Sequence, residues 1–438
     1  MKKYKKYPQY KDSGVEWLEE TPEHWENYRI DWTSTLVRGN TGFKKDELKE
    51  NGEYVALQYG KTYKVNEVNE TFKFYVDSEF YKSSQVAHYG DTILISTSET
   101  IEDLGHSCFY NREDLGLIGG EQILLKPNTE LVFGKYLYYY SKVFCNQLSK
   151  YATGLKVFRF NIDDLKNIFI PISPLQEQQT IANYLDRATA KIDTLIEKQT
   201  KLIEILKEKR QAVISTAVTR GLDSSVPMKD SGVEWLGKIP EHWEVVQSRR
   251  IFQERKGRAI KNDEQLTASQ KYGVIPQKLF MEMEGRKVTQ VLTGSEILKH
   301  IEVDDFVISM RSFQGGLEYS TYTGCVSSAY VGIIPIKHIH SNFFKYLFKS
   351  KSYIQALQST SNLVRDGQAL RFENFSKVSL VIIPLEEQQT IADSLDDKTS
   401  KIDTLVTKAT KAIELLKERR TVLISAIVTG KIDVREES

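Results

Sequence analysis

PLQEQQTIANYLDRATAKIDTLIEKQTKLIEILKEKR, running from Pro174 to Arg210, returns as PLEEQQTIADSLDDKTSKIDTLVTKATKAIELLKERR from Pro384 to Arg420. The copies lie 210 residues apart in a chain of 438. Stepping alternately by four and three from Ile181 meets Leu185, Ala188, Ile192, Leu195, Gln199, Leu202, Leu206, Lys209 and Val213. The second copy gives Ile391, Leu395, Lys398, Ile402, Leu405, Ala409, Ala412, Leu416, Arg419 and Leu423. An apolar repeat of roughly 3.5 residues on an otherwise charged helix makes a seam that buries itself against another seam. The two seams match in length and phase, so the sequence predicts that they pair with each other inside the chain. The alternative is that each packs on its own globular region. Lys209 and Arg419 fall on the seam, where their stems can lie along apolar surface with the charge in water.

The start signals of the two helices differ. Ser173-Pro174-Leu175-Gln176 predicts a capping box with proline at the first helical position, whereas the second copy has Ile383 at the cap. Gly221 and Gly430 stand where helices commonly stop. A helix from about Thr180 to Ala217 is ~57 Å long, more than one turn of B-DNA at roughly 34–36 Å.

A second repeat frames the first. KDSGVEWLEETPEHWE (Lys11 to Glu26) returns as KDSGVEWLGKIPEHWE (Lys229 to Glu244), with three of the sixteen positions changed. The chain is therefore two copies of one plan: a Trp-rich entry segment, a variable globular region and a long helix. A duplicated chain tends to close with pseudo-twofold symmetry, which makes the paired helices antiparallel. The fold class expected is α+β, with two mixed α/β regions separated by an antiparallel coiled coil. Runs such as TILIS (Thr92 to Ser96) and FVIS (Phe306 to Ser309) read as strands; FGKYLYYYSKVFCNQL and SNFFKYLFKSKSYIQAL read as amphipathic helices. GDTILIST matches VDDFVISM in placement, and EYVALQYGK sits where YGVIPQKLF recurs.

Composition narrows the class. Apolar residues make up 40% and charged residues 27%, a folded, water-soluble balance, and the formal net charge is +1. A near-neutral chain that binds DNA must arrange its cations locally or share the task with partners. Cys108, Cys145 and Cys325 are far apart and form no CxxC or Cys/His cluster, which fits a reducing, cytoplasmic compartment. The basic start has no apolar run behind it, so it is not read as a secretory signal, and no apolar run approaches a membrane span.

The tandem arrangement, with PLQEQQTIA and PLEEQQTIA introducing the helices and VEWL…PEHW opening each half, resembles the specificity subunit of type I restriction-modification enzymes over nearly the whole chain. The resemblance implies two target-recognition domains, 1–173 and 224–383, each followed by a spacer helix, 174–223 and 384–438 with its tail. It implies a non-catalytic, cytoplasmic subunit that reads a bipartite, asymmetric double-stranded DNA site and directs adenine methylation and cleavage by its partners. Those partners would be two methyltransferase subunits and two motor-nuclease subunits, which would use S-adenosylmethionine, ATP and magnesium. This chain would bind no cofactor or metal itself.

The residues agree with that reading. No GxxxxGK[ST] phosphate loop occurs, and no Asn/Asp-Pro-Pro-aromatic segment, since the chain has no Pro-Pro at all. A single-chain enzyme is thereby disfavoured; a tandem coiled-coil adaptor that binds only proteins is the remaining alternative. His24 and His242, in the repeated PEHW, lack a neighbouring ligand set and are read as packing beside Trp25 and Trp243. For DNA reading, Arg suits guanine while Gln and Asn suit adenine, and cations clamp phosphates. Loop segments with those side chains supply the candidates. In the first half they are Lys44, Lys45, Gln58, Lys61, Lys156 and Arg159. In the second they are Lys256, Arg258, Gln277, Lys278, Arg311, Gln314, Arg365, Gln368 and Arg371. Each is equally an ordinary solvated surface residue.

Overall fold

The computed structural model describes residues 4–101, 104–154, 156–288, 295–360 and 370–436. Two helices dominate it, Leu175–Arg220 and Leu385–Val428. The chain divides into two compact units, residues 1–199 with 411–438 and residues 200–410, so each long helix contributes a segment to both. No helix among the described residues is long and apolar enough to cross a membrane.

In the first unit a five-stranded sheet has the order Ser34–Arg38, Gln122–Pro127, Thr92–Ile95, Ser107–Tyr110, Glu67–Val68. A four-stranded sheet beside it runs Tyr75–Val76, Tyr54–Leu57, Gly116–Ile118, Val86–Ala87. The second unit keeps a reduced version: Phe252–Glu254, Val331–Pro335, Phe306–Ile308, Glu318–Tyr319, with the pairs Leu266–Ser269/Gly273–Pro276 and Lys299–Ile301/Gly324–Val326. The helix read in FGKYLYYYSKVFCNQL spans Gly134–Phe144 and tightens into a 3₁₀ turn. Its counterpart is broken into Ser341–Leu347 and Lys351–Ser359, because Ser350 leaves helical geometry and its hydroxyl caps the second piece through Tyr353 N–H, 3.4 Å.

Each unit places the start of one long helix against the end of the other, with opposite chain direction. In the first, Ile181, Leu185 and Ile192 share a core with Leu423, Ile424, Ile427 and Val428, and Arg420 Nε lies 3.2 Å from Asp193. In the second, Ile214, Ala217 and Val218 share a core with Ile391, Ala392 and Leu395, and Arg210 Nε lies 2.9 Å from Asp403.

The seam is shifted from the one read in the sequence. Leu185, Ile192, Leu206, Leu395, Ile402 and Leu423 are buried, and Leu416 is half-buried against the first core. Leu195, Leu202 and Leu405, however, are 46%, 42% and 49% exposed, and Lys209 and Arg419 face solvent. The protected positions are one residue later: Ile196, Ile203, Arg210, Val406, Ile413 and Arg420. The apolar pairs Leu195-Ile196, Leu202-Ile203, Leu405-Val406 and Ala412-Ile413 offer either step, three or four, so hydrophobicity alone cannot choose. The Arg–Asp pairs favour the later phase.

The entry segments lock onto the helix ends. Tyr10–Val15 pairs with Leu18–Pro22, and Glu26–Arg29 pairs with Phe169–Ile172, the strand that leads into the first long helix. In the second unit Met228–Asp230 pairs with Lys238–Pro240, and Glu244–Gln247 with Ser379–Ile382. Trp25 and Trp243 are fully buried. Their indole N–H groups donate to Glu177 Oε1 (3.0 Å) and Glu387 Oε1 (3.1 Å), while His24 and His242 Nε2 lie 2.8 Å from the other carboxylate oxygens. A buried carboxylate is costly unless bonded in this way.

The adjacent glutamines close the helix starts. Gln178 Nε2 donates to Ser173 O (2.7 Å) and Leu131 O (2.9 Å), and its Oε1 accepts from Phe133 N–H (2.8 Å). Gln388 does the same with Ile383 O and His340 N–H, both 2.9 Å. Among the described residues the Ser173 hydroxyl accepts no hydrogen bond, so the capping box is not formed. Instead the Gln side chain ties down the approaching strand, a device that works equally with Ile at the cap.

The helix ends meet the same tryptophans. Gly221 (φ +76°) and Gly430 (φ +77°) are in the left-handed conformation that favours glycine. A Cβ on Gly430 would lie 2.3 Å from Pro22, and one on Gly221 3.5 Å from the Trp243 ring. The C-terminal tail returns to the N-terminal segment, with Asp433 N–H donating to Lys5 O at 2.9 Å and Tyr10 Oη to Gly430 O at 3.1 Å.

Candidate nucleic-acid interface

In the first unit three of the polar segments singled out from the sequence converge on one turn, Gly119–Gln122. Gly120 N–H donates to Thr41 O (3.0 Å), just before Lys44 and Lys45. Gly119 N–H donates to Leu57 O (3.1 Å), immediately before Gln58. Ser96 N–H donates to Glu121 O (3.0 Å), and Thr97–Ser98 then pairs with Phe158–Arg159. Such close approach demands glycine, for a Cβ on Gly39 would lie 1.8 Å from Gly119 O.

Glu121 completes the turn with φ +64°, a strained conformation for a residue with a side chain and one found preferentially at functional positions. Its carboxylate accepts from Thr97 Oγ1 and lies 3.8 Å from Arg159 Nη2, with both side chains about half exposed. Thr153 and Arg159 exchange both backbone hydrogen bonds at 3.0 Å, so Lys156 sits exposed in the bend between them. Lys44 and Lys45 are exposed at a 3₁₀ turn, Gln58 starts the short helix Tyr59–Thr62, and Lys61 Nζ lies 4.2 Å above the Phe74 ring. Lys61 is thus partly occupied by packing.

In the second unit the corresponding strand, Phe306–Ile308, delivers Arg311. The turns before these strands match through His88 N–H to Asp91 and Glu302 N–H to Asp305, both 2.9 Å, with Gly90 and Asp304 both at positive φ. The match is one residue later than the one read in the sequence and equates Leu125–Thr92 with Ile333–Phe306, so Arg311 occupies the place of Thr97, and Tyr330 that of Gln122. Arg311, Gln270, Lys271, Ser309 and Tyr330 line a cleft of about 400 Å³. Among the described residues the Arg311 guanidinium has no ion-pair partner, while Lys271 is held by Glu284 at 3.0 Å. Burial pushes the Tyr330 hydroxyl pKa up, and the Arg311 charge opposes that rise. Gln314 is exposed on the short helix Ser312–Gly315.

Gln277 and Lys278 begin the helix Gln277–Glu284, whose Phe280 and Glu284 reach the same cleft. Gln277 lines a neighbouring cleft of about 350 Å³, and its buried Oε1 has no partner among the described residues. Lys256 is exposed, and the Arg258 backbone forms an isolated antiparallel β-bridge with Lys299, the first residue of the strand Lys299–Ile301. Arg371 stands apart, exposed ahead of the helix Phe372–Lys377, while Arg365 and Gln368 lie outside the described residues.

Thr97, Glu121, Gln270 and Lys271 were not among the sequence candidates. Glu121 carried a signal in its Gly119-Gly120 neighbours, which indicate a sharp turn; Gln270 and Lys271 carried none beyond polarity. Among the described residues no group of three or more His, Cys, Asp or Glu is placed to hold a metal ion. The Gly119–Gln122 turn of the first unit and the Arg311 cleft of the second form the polar crests of the two heads, and both offer hydrogen-bond donors and acceptors of the kind that can meet base edges.

Two heads on one duplicated frame, equal in scaffold and different in polar crest, define a two-part recognition protein. The family model described as "Type I restriction modification DNA specificity domain" matches residues 22–206 and again 240–415. The chain belongs to that family: it is a DNA-recognition subunit of the type I restriction-modification kind. It is 26% identical over 428 residues to the putative type I restriction enzyme MjaX specificity subunit of Methanocaldococcus jannaschii, covering 95% of each chain. It is also 26% identical over 227 residues to the type I restriction enzyme EcoKI specificity subunit of Escherichia coli K12, covering 50% of this chain and 46% of that one. In fold it is similar to a chain from a structure described as "Structural basis underlying complex assembly and conformational transition of the type I R-M system", with TM-score 0.67, 15% identity and coverage of 94% and 99%. The HsdS subunit from Thermoanaerobacter tengcongensis gives TM-score 0.51 at 15% identity, covering 94% and 98%.

Proposed function

We propose that the chain reads a split, asymmetric double-stranded DNA site, one half with each crest, and has no catalytic activity of its own. The observation that carries this reading is the replacement of Thr97 by Arg311 at equivalent ends of equivalent strands. Equal scaffolds carrying different donors and acceptors would read different bases. In this reading 1–173 and 224–383 are the recognition domains, and the helical segments 174–223 and 384–438 set the spacing of the half-sites. Glu121 with Arg159 serves the first half, and Arg311 with Gln270 the second.

The repeated helix ends and entry segments then form matching docking places for two methyltransferase subunits, and two motor-nuclease subunits complete a restricting assembly. S-adenosylmethionine, ATP and magnesium are used by those partners, in the cytoplasm. The test is to map methylated adenines in a genome expressing this chain with its methyltransferase partner. One bipartite motif with unlike halves is expected. Methylation or cleavage by the purified chain alone, or no sequence preference with the partner, overturns the reading.

A further inference from the structure

In the first unit a cleft of about 500 Å³ opens between the helix Gly134–Phe144 and the last turns of the second long helix. Its lining includes Lys142, Arg420 and Lys431, with Asn146 and Ser425, and contains no carboxylate. Lys142 Nζ donates to two neutral acceptors, Ser107 O and Asn66 Oδ1, and lies 5.0 Å from the centre of the Tyr138 ring. Arg420 Nε reaches Asp193 at 3.2 Å, and among the described residues the Lys431 ammonium has no ion-pair partner. Burial holds the Lys142 ammonium down to about 8, and the nearby Arg420 charge pushes the same way. Cations gathered around an open cleft repel one another until an anion enters.

The second unit shows what the same scaffold looks like with this charge cancelled. Lys349, in the place of Lys142, donates to the buried Glu318 at 2.6 Å. Leu222 follows Gly221 where Lys431 follows Gly430, so an uncharged residue stands beside Arg210 and its Asp403. The bare cations are thus a feature of one unit and are not required by the shared helix packing.

We infer that this cleft binds a phosphate group, either a phosphodiester of the DNA backbone or the phosphate of a free nucleotide. A cleft of this volume is of ligand size, and its apolar walls, Val143, Val422 and Ile424, would lie alongside the rest of the molecule. The inference does not depend on which bases the crests read.

The first arm of the test is calorimetry on the full chain with inorganic pyrophosphate. One binding event per chain is expected, weakened at least ~10-fold by Lys142→Gln or by Lys431→Gln, and unchanged by Lys408→Gln on an exposed helix face. Lys431 is at the surface, so its variant keeps the test valid should Lys142→Gln perturb folding. The second arm measures the salt dependence of duplex binding by the chain with its methyltransferase partner. If the DNA backbone is the ligand, each variant lowers the salt slope by about one and pyrophosphate competes. If a free phosphate compound is the ligand, only the first arm responds. No pyrophosphate binding together with an unchanged slope overturns the inference. The first arm involves no base reading, so its result is separable from the fate of the proposed function.

Discussion

The two units agree wherever they touch the long helices and disagree wherever they present polar side chains. Glu177 and Glu387 each hold a buried tryptophan and a histidine, and Tyr139 and Tyr346 each donate to an aspartate of the adjacent helix (Asp186, 2.6 Å; Asp396, 2.5 Å). Arg420–Asp193 repeats as Arg210–Asp403. Away from these clamps the correspondence dissolves: Thr97 becomes Arg311, and Lys431 becomes Leu222. The difference teaches that the clamps define where each head sits, which frees the crests to change without unfolding the frame.

The largest effect should come from breaking a clamp. Trp25→Ala and Trp243→Ala each remove a fully buried indole and leave a glutamate short of one donor. Each should lower stability by about 3–5 kcal/mol in denaturant unfolding. Glu177 retains a further donor, Tyr7 Oη at 2.7 Å, which Glu387 lacks among its hydrogen bonds, so the second unit should suffer at least as much as the first. A near-neutral result at either tryptophan would break the equivalence of the clamps.

A buried aspartate sharpens the contrast. Asp305 is bound by Arg255 through Nε at 2.5 Å, whereas Asp91, at the matching turn, has among the described residues the His88 N–H alone, at 2.9 Å, because Val37 stands where Arg255 does. Burial pushes the Asp91 carboxyl up to about 6, partly opposed by that N–H and by Lys126. The folded state therefore keeps a proton that the unfolded chain releases near pH 4. The stability associated with that proton is fully present below pH 4 and is lost as pH rises to about 6. Asp91→Asn should raise stability by roughly 1–3 kcal/mol at pH 7, with no gain at pH 4, as read by urea midpoints. Arg255→Ala should instead cost about 3 kcal/mol or more at pH 7, because it strands Asp305.

At the crest, Arg311→Ala should weaken binding of the second half-site by about 1–3 kcal/mol and relax its base preference there, leaving the first half-site unchanged. Methylated-site mapping reads both halves at once; relaxation in the first half would break the assignment of one crest to one half. The smallest effect belongs to the seam. Leu405→Gln, at a position 49% exposed, should change stability by less than about 0.5 kcal/mol, while Ile402→Ala, buried three residues earlier, should cost about 2–5 kcal/mol.

Much of the frame was legible because duplication repeats it: helix extents, antiparallel pairing and the entry segments all follow from matching two copies. The histidines could be read as packing residues because no ligand set surrounded them. The seam phase was not legible, since Leu195-Ile196 and its repeats are apolar at both positions. Nor was the first crest, because Glu121 meets Thr97 and Arg159 only through backbone hydrogen bonds between segments far apart in the chain.

Periodicity and repetition are properties of neighbouring residues and of aligned copies, so the sequence by itself determined two heads, two long helices and their pairing. Convergence of distant loops depends on strand register, which decides which turn lies beside which. Charge cancellation depends on whether a carboxylate such as Glu318 arrives beside a lysine. Those were decided only by the tertiary structure, because hydrogen bonds and ion pairs act over a few ångströms whatever the separation along the chain.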